Sequence, residues 1–246
     1  MYLLRCSISF CWCWRSWGYS RGGKRRINNK QGRCYMHEIK KVVVIGPEST
    51  GKSTLCQLLA AHYHTIWCAE YAREYLLNNG TDYTFEDLLT IARGQLLLQD
   101  EVETKVVNGQ LSMVNKDRNN SSTQLPIHHS QLLFIDTDMY VMKVWCEYVF
   151  GRCHQFILEE IVQRKYDLYL LCKPDIAWVK DELREYPDER VRIELYHIYR
   201  DILINQQVPW AEVSGGYDQR LSMGVEAVEQ IITHGSIQKC WSINFG

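Results

Sequence analysis

The chain predicts an α/β fold: a three-layer sandwich in which a mainly parallel, five-stranded sheet lies between helices. Three observations carry this. Short apolar runs of strand length, at 42–45, 132–136 and 169–172, alternate with longer stretches of helical period. The first run closes on Gly46-Pro47-Glu48-Ser49-Thr50-Gly51-Lys52-Ser53-Thr54, a G-x-x-x-x-G-K-S turn that opens a helix. The 246 residues suffice for one sizeable α/β domain, and no second periodic region follows it.

The turn has a chemical reading. Gly46 and Gly51 allow a tight bend that points successive N–H groups inward, as an anion requires. In such a cradle Gly46, Glu48, Ser49, Thr50, Gly51, Lys52, Ser53 and Thr54 surround the phosphates of a nucleotide. Lys52 meets the β- and γ-phosphates, and the Ser53 hydroxyl reaches a magnesium ion. ATP and Mg²⁺ are the cofactors this implies. A tight turn of purely structural use is the competing reading.

Each element follows in order. Val42-Val43-Val44-Ile45 is a run of β-branched residues, suited to a strand buried on both faces. Leu55, Leu58 and Leu59 then give the first helix one inward face. Residues 65–68 form a short second strand, and a helix beginning at Glu70 stops at Asn78-Asn79-Gly80. Thr84 caps a long helix over 85–107, with Glu86 and Asp87 at its positive end. Residues 115–130, rich in Asn, Ser and Asp, read as a surface loop. A third strand ends on Asp136, helices cover 139–149 and the stretch to Arg164, and a fourth strand over 169–172 is closed by Pro174. A charged span over 180–192 leads into a helix over 191–205. The fifth strand, at 211–213, precedes Ser214-Gly215-Gly216 and a last helix through Gln230.

Charge divides the chain. Residues 1–35 hold eight Lys or Arg and no acid, which leaves 20 basic against 29 acidic residues from Met36 onward, a net of −9. An acidic body argues against a broad nucleic-acid surface. The leader has apolar residues broken by Arg5 and Arg15, lacks a small-residue cleavage site, and is too short to span a membrane. It reads as a disordered or non-native basic leader ahead of a domain over 36–246 that begins at Met36, or as a basic targeting or membrane-touching arm, with no stable membrane association expected. No pair among Cys56, Cys68, Cys146, Cys153, Cys172 and Cys240 has C-x-x-C spacing, so a reduced, cytoplasmic protein fits best. The histidines show no metal spacing either.

Several side chains sit where the carboxyl ends of the strands would place them beside the cradle. Asp136 ends an apolar strand and suits Mg²⁺. Asp138 either contacts substrate or caps the next helix. Glu70 is placed to accept the proton of an attacking hydroxyl and Arg73 to grip an oxygen; an ordinary helix-start acid and a surface base are the alternatives. The span 180–192 reads as a lid closing Arg184 or Arg190 over the transferring phosphoryl group, or as solvated surface. Arg220 borders the adenine or sits at a helix end. Tyr140, Trp145 and Trp178 either sandwich a flat ring or pack the core.

These motifs, in order, resemble a known family. The cradle is followed by Trp67-Cys68-Ala69-Glu70-Tyr71-Ala72-Arg73-Glu74, Ile91-Ala92-Arg93-Gly94-Gln95, Phe134-Ile135-Asp136-Thr137-Asp138 and Pro174-Asp175-Ile176-Ala177-Trp178-Val179-Lys180-Asp181. Together they are similar to the ribosylnicotinamide kinase domain of the bacterial NadR proteins, over roughly residues 38–233. The resemblance implies a P-loop kinase with a lid that phosphorylates the 5′-hydroxyl of nicotinamide riboside, giving nicotinamide mononucleotide for NAD salvage. It places Glu70, Arg73, Tyr140 and Trp145 toward the riboside, and Arg184 and Arg190 in the lid. Complete NadR proteins carry an adenylyltransferase domain ahead of the kinase. No H-x-G-H motif occurs here, so the chain is expected to stop at the mononucleotide. A kinase for another nucleoside or small alcohol, or an ATP-switched binding module, is the alternative.

Overall fold

The computed structural model describes residues 39–107, 132–180, 183 and 188–234. The leader over 1–35, the polar loop over 115–130 and Arg184 of the lid lie outside the described residues. Among the described residues twelve elements follow in order: β1 (Lys40–Ile45), α1 (Lys52–His62), β2 (Trp67–Cys68), α2 (Tyr71–Asn79), α3 (Phe85–Val107), β3 (Leu132–Asp136), α4 (Met139–Phe150), α5 (Gln155–Gln163), β4 (Leu168–Cys172), α6 (Glu189–Asn205), β5 (Trp210–Val213) and α7 (Tyr217–His234).

The five strands form one sheet in the order β2-β3-β1-β4-β5, and every pairing is parallel. Successive side chains of a strand point to opposite faces, which gives β1 two partners. Val42 and Val44 pack with Leu55 and Leu59 of α1 and Val228 of α7, whereas Val43 and Ile45 pack toward Val102, Val144 and Leu195 of α3, α4 and α6. The helices thus divide between the two faces, making the expected three layers. A further apolar cluster joins α2, α3, α4 and α5 through Leu76, Ile91, Met142 and Ile157.

Local signals act as the sequence indicates. The Thr84 hydroxyl accepts from the Asp87 N–H at 3.3 Å while the Asp87 carboxylate accepts from the Thr84 N–H at 2.8 Å, a reciprocal cap at the start of α3. Gly151 ends α4 in a left-handed conformation, φ 66°. The second strand is two residues long rather than four, because only Trp67 and Cys68 find partners on β3.

Candidate functional site

The site grows from the central strand. In register, Val44 of β1 lies beside Asp136 of β3, so the turn leaving β1 and the carboxylate ending β3 emerge together at the sheet's carboxyl edge. Gly46 must be glycine. Its φ is 145°, and a Cβ there would stand 2.8 Å from the Cys172 carbonyl oxygen. The loop is held from within by the Thr50 hydroxyl, which donates to the Pro47 carbonyl at 2.8 Å, and Lys52 Nζ donates to the same oxygen at 2.9 Å. Ser49, with φ 55°, is one of three non-glycine residues in the left-handed region among the described residues.

A strap leaving β4 lies against this loop. Trp178 Nε1 donates to Glu48 Oε1 at 3.3 Å, and the Val179 N–H donates to Ser49 Oγ at 3.2 Å. A Cβ on Gly51 would meet Ile176 and Tyr217, each at 3.3 Å. Trp178 is therefore committed to the loop rather than to one wall of a ring sandwich.

Loop and strap border a cavity of about 660 Å³ whose walls include Lys52, Ser53, Glu70, Arg73, Asp136 and Trp145. Asp136 is fully buried, and neither carboxylate oxygen has a satisfying hydrogen bond. Burial first, and the charge of Glu70 second, push its pKa up; Lys52 and the approaching Ser53 hydroxyl oppose them. An orphaned buried carboxylate beside a serine hydroxyl is a donor set that suits a hard divalent cation. Among the described residues no three His, Cys, Asp or Glu side chains gather to hold a metal unaided. The remaining ligands of such an ion would come from phosphate and water, as is usual for Mg²⁺.

Glu70 begins α2 in an extended conformation and makes no side-chain cap bond, while Arg73 follows on the first turn. Trp145 and Tyr148 of α4 and Leu195 and Tyr199 of α6 also line the cavity. Trp145 Nε1 donates to the Tyr83 hydroxyl at 2.9 Å, and the two rings meet edge to face with centroids 5.0 Å apart.

Four expected site residues lie elsewhere. Arg220 does not border the cavity: it is fully buried, and its guanidinium donates to the carbonyls of Lys173, Val213 and Gly215 and pairs with Asp175. Its guanidinium ties the ends of β4 and β5 together rather than facing the cavity. Asp138 is buried as the cap of α4, accepting from the Tyr140 and Val141 N–H groups and from the Tyr169 hydroxyl at 2.8 Å. Of the two readings open for Asp138, the structure displays the cap. Tyr140 packs on Tyr169, centroids 5.7 Å apart, and is not among the cavity walls. Arg190 is exposed on the first turn of α6, where its N–H donates to Asp188, and it too stands off the cavity. Of the described residues in the lid span, Lys180 and Leu183 line it.

Sequence reasoning missed Tyr148, Tyr199, Ile176 and Tyr217. The signal for Tyr217 was present. It is the first residue of α7, directly after Gly215-Gly216 at the carboxyl end of β5, one turn ahead of the arginine chosen instead. Tyr148 was readable as the partner of Trp145 three residues on. Tyr199 and Ile176 depend on how α6 and the strap lie over the sheet.

A G-x-x-x-x-G-K-S loop between a central parallel strand and a helix, with a strand-end aspartate beside it, defines a P-loop protein. Residues 41–220 match the AAA domain family, and the chain belongs to it. The similarity to NadR read from the motifs is also present. The chain is 25% identical over 195 residues to the trifunctional NAD biosynthesis/regulator protein NadR of Escherichia coli (strain K12), which takes in 79% of this chain and 43% of that protein. The NadR of Salmonella typhimurium (strain LT2) gives the same identity and coverage. The chain thus spans less than half the length of these relatives. Two crystal structures share the fold: a NadR protein in complex with NR, with TM-score 0.57, 21% identity, and 84% of this chain and 55% of that one covered; and a NadR protein in complex with NAD and AMP-PNP, with TM-score 0.53, 23% identity, and 83% and 52% covered.

Proposed function

We propose that the protein transfers the γ-phosphoryl group of ATP to the 5′-hydroxyl of nicotinamide riboside, forming nicotinamide mononucleotide. The observation that carries this is one cavity lined both by a phosphate loop with Lys52, Ser53 and Asp136 and by the aromatic side chains of Trp145, Tyr148 and Tyr199. A phosphoryl donor and a flat-ringed acceptor need both kinds of wall in one cavity. Glu70 and Arg73 line the cavity with both. Similarity to NadR proteins, one of them solved with NR and another with AMP-PNP, supports the same pair of ligands.

The residues divide the work. The loop N–H groups and Lys52 hold the phosphates and offset charge on the transferring group. Ser53 and Asp136 would hold Mg²⁺, which would supply positive charge to offset that of the phosphates. Glu70 accepts the proton of the attacking hydroxyl, and Arg73 orients an oxygen of either partner. Ile176 and Tyr217, flanking Gly51, form the slot for the adenine. Val179, Lys180 and Leu183 mark where the lid meets the cavity.

The test is turnover of ATP with nicotinamide riboside and a panel of other nucleosides, with the phosphorylated product identified by mass. The proposal expects mononucleotide to form fastest from the nicotinamide compound. Faster turnover of another nucleoside refutes the substrate. ATP hydrolysis indifferent to every acceptor refutes the kinase reading in favour of a nucleotide-switched module.

A further inference from the structure

Glu70 occupies the cap position of α2, yet its side chain does not cap the helix. The capping falls to α3. Gln95 is 1% exposed, its Oε1 accepts from the Tyr71 N–H at 2.7 Å, and its Nε2 donates to the Ala69 carbonyl at 3.2 Å and approaches Cys68 Sγ at 3.6 Å. The Ala69 carbonyl belongs to the peptide unit before Glu70, and the Tyr71 N–H to the unit after it. One buried amide therefore grips both peptide planes that flank Glu70, and those planes fix the direction of its Cα–Cβ bond.

The neighbouring residue completes the socket. Gly94 lies within α3, where glycine costs about 1 kcal/mol against alanine. A Cβ there would stand 2.1 Å from Cε1 of the Tyr71 ring. The missing side chain lets Tyr71 sit flush on the helix, and Tyr71 carries the N–H that Gln95 holds. Neither residue lines the cavity.

We infer that Gln95, seated by Gly94, is the positioning residue for Glu70: it takes over the helix-start hydrogen bonds so that the Glu70 carboxylate is turned into the cavity toward the acceptor hydroxyl. The inference rests on the kinase reading for what Glu70 does there. The geometry of the grip stands apart from it. Misplacing a reacting group by an ångström can cost about a hundredfold in rate, so a device that fixes one dihedral pair has room to matter.

Two measurements test it, on the full chain carrying Gln95→Met, which keeps length and loses both hydrogen bonds. The first is amide exchange. The segment around Tyr71 should exchange on the order of tenfold faster while the Gly46–Thr54 loop is unchanged. The second is a cycle with Glu70→Gln, using whichever acceptor in the panel is phosphorylated. Gln95→Met should lower kcat roughly tenfold or more with KM for ATP within about twofold, and should cost less than about twofold further once Glu70 is already Gln, because residues that act as a unit are not additive. Unchanged exchange at Tyr71, or equal penalties with and without Glu70, overturns the inference. If Gln95→Met does not fold, Gln95→Leu, which also loses both hydrogen bonds, is read by the same criteria. Should nicotinamide riboside fail as acceptor, the substrate assignment falls while the cycle still runs on another. Should none be turned over, the exchange result alone decides whether Gln95 fixes Glu70.

Discussion

At the scale of single residues, what matters is how each side chain is held. Lys52 reaches back to the Pro47 carbonyl at 2.9 Å, which keeps its ammonium over the loop rather than in solvent. Lys52→Ala should lower kcat by about 10²–10³-fold, the loss seen when one donor to a charge-developing oxygen is removed, with the melting temperature little changed. Asp138 shows the cost of a buried cap. Desolvation pushes its carboxyl up to about 6 against the hydrogen bonds from Tyr169, Val141 and Tyr140. With the folded value above the ordinary one of 3.8, the fold favours the protonated form. Its contribution is fully present below about pH 4 and is lost as pH rises through about 6. Asp138→Asn keeps an oxygen for the cap and removes that loss, so the variant should gain about 1–3 kcal/mol of stability at pH 8 and little at pH 4, read from denaturant melts at both. A variant no more stable at pH 8 than at pH 4, each relative to the parent, counts against this account.

Between elements, the decisive contacts join strand ends and helix starts. Arg220 lies wholly inside the molecule, donating to three carbonyls and pairing with Asp175, while Asp175 also accepts from the Gly215 N–H at 2.7 Å. The pair fastens the strap that carries Ile176 to the turn that carries Tyr217. Arg220→Met should destabilise the fold by about 1–3 kcal/mol, since the Val213 carbonyl is left buried without its donor while Asp175 can turn to solvent. Where enough folded protein remains, KM for ATP should rise more than KM for the acceptor. An equal rise in both would mean that the clamp does not shape the nucleotide end. Thr137 is a second joint. It is β-branched, buried and at φ 77°, so the chain turns sharply after Asp136 and sends Asp138 under the sheet edge.

For the molecule as a whole, the proposed Mg²⁺ site would link ligand and proton binding through Asp136. Its carboxyl stands well above the ordinary value because burial and Glu70 both penalise its charge. A bound divalent cation needs it ionised. Binding of Mg²⁺ with a non-hydrolysable ATP analogue should therefore release close to one proton at about pH 6 and almost none at about pH 8.5. Calorimetry in two buffers of different ionisation heat reads this directly, and identical heats at pH 6 would exclude the linkage. At a ligand concentration of about 100 Kd the same complex should add about 2.7 kcal/mol of stability. For a domain of this size that is a rise in Tm on the order of 5–10 °C. Among the described residues no helix is long and apolar enough to cross a membrane.

The sequence by itself determined the parallel sandwich, the phosphate loop and the place of Asp136, because each is written locally. Apolar runs of strand length, two glycines at fixed spacing and a carboxylate at the end of a buried strand need no knowledge of distant partners. Where Asp138, Tyr140, Arg190 and Arg220 lie was decided only by the tertiary structure. Each sits near the carboxyl edge in sequence, and whether its side chain enters the cavity, caps a helix or ties two strands depends on the packing of elements far along the chain. Gln95 makes the same point from the other side. It is a helix residue 25 positions beyond Glu70, and it bears on the site only because α3 folds back against the start of α2.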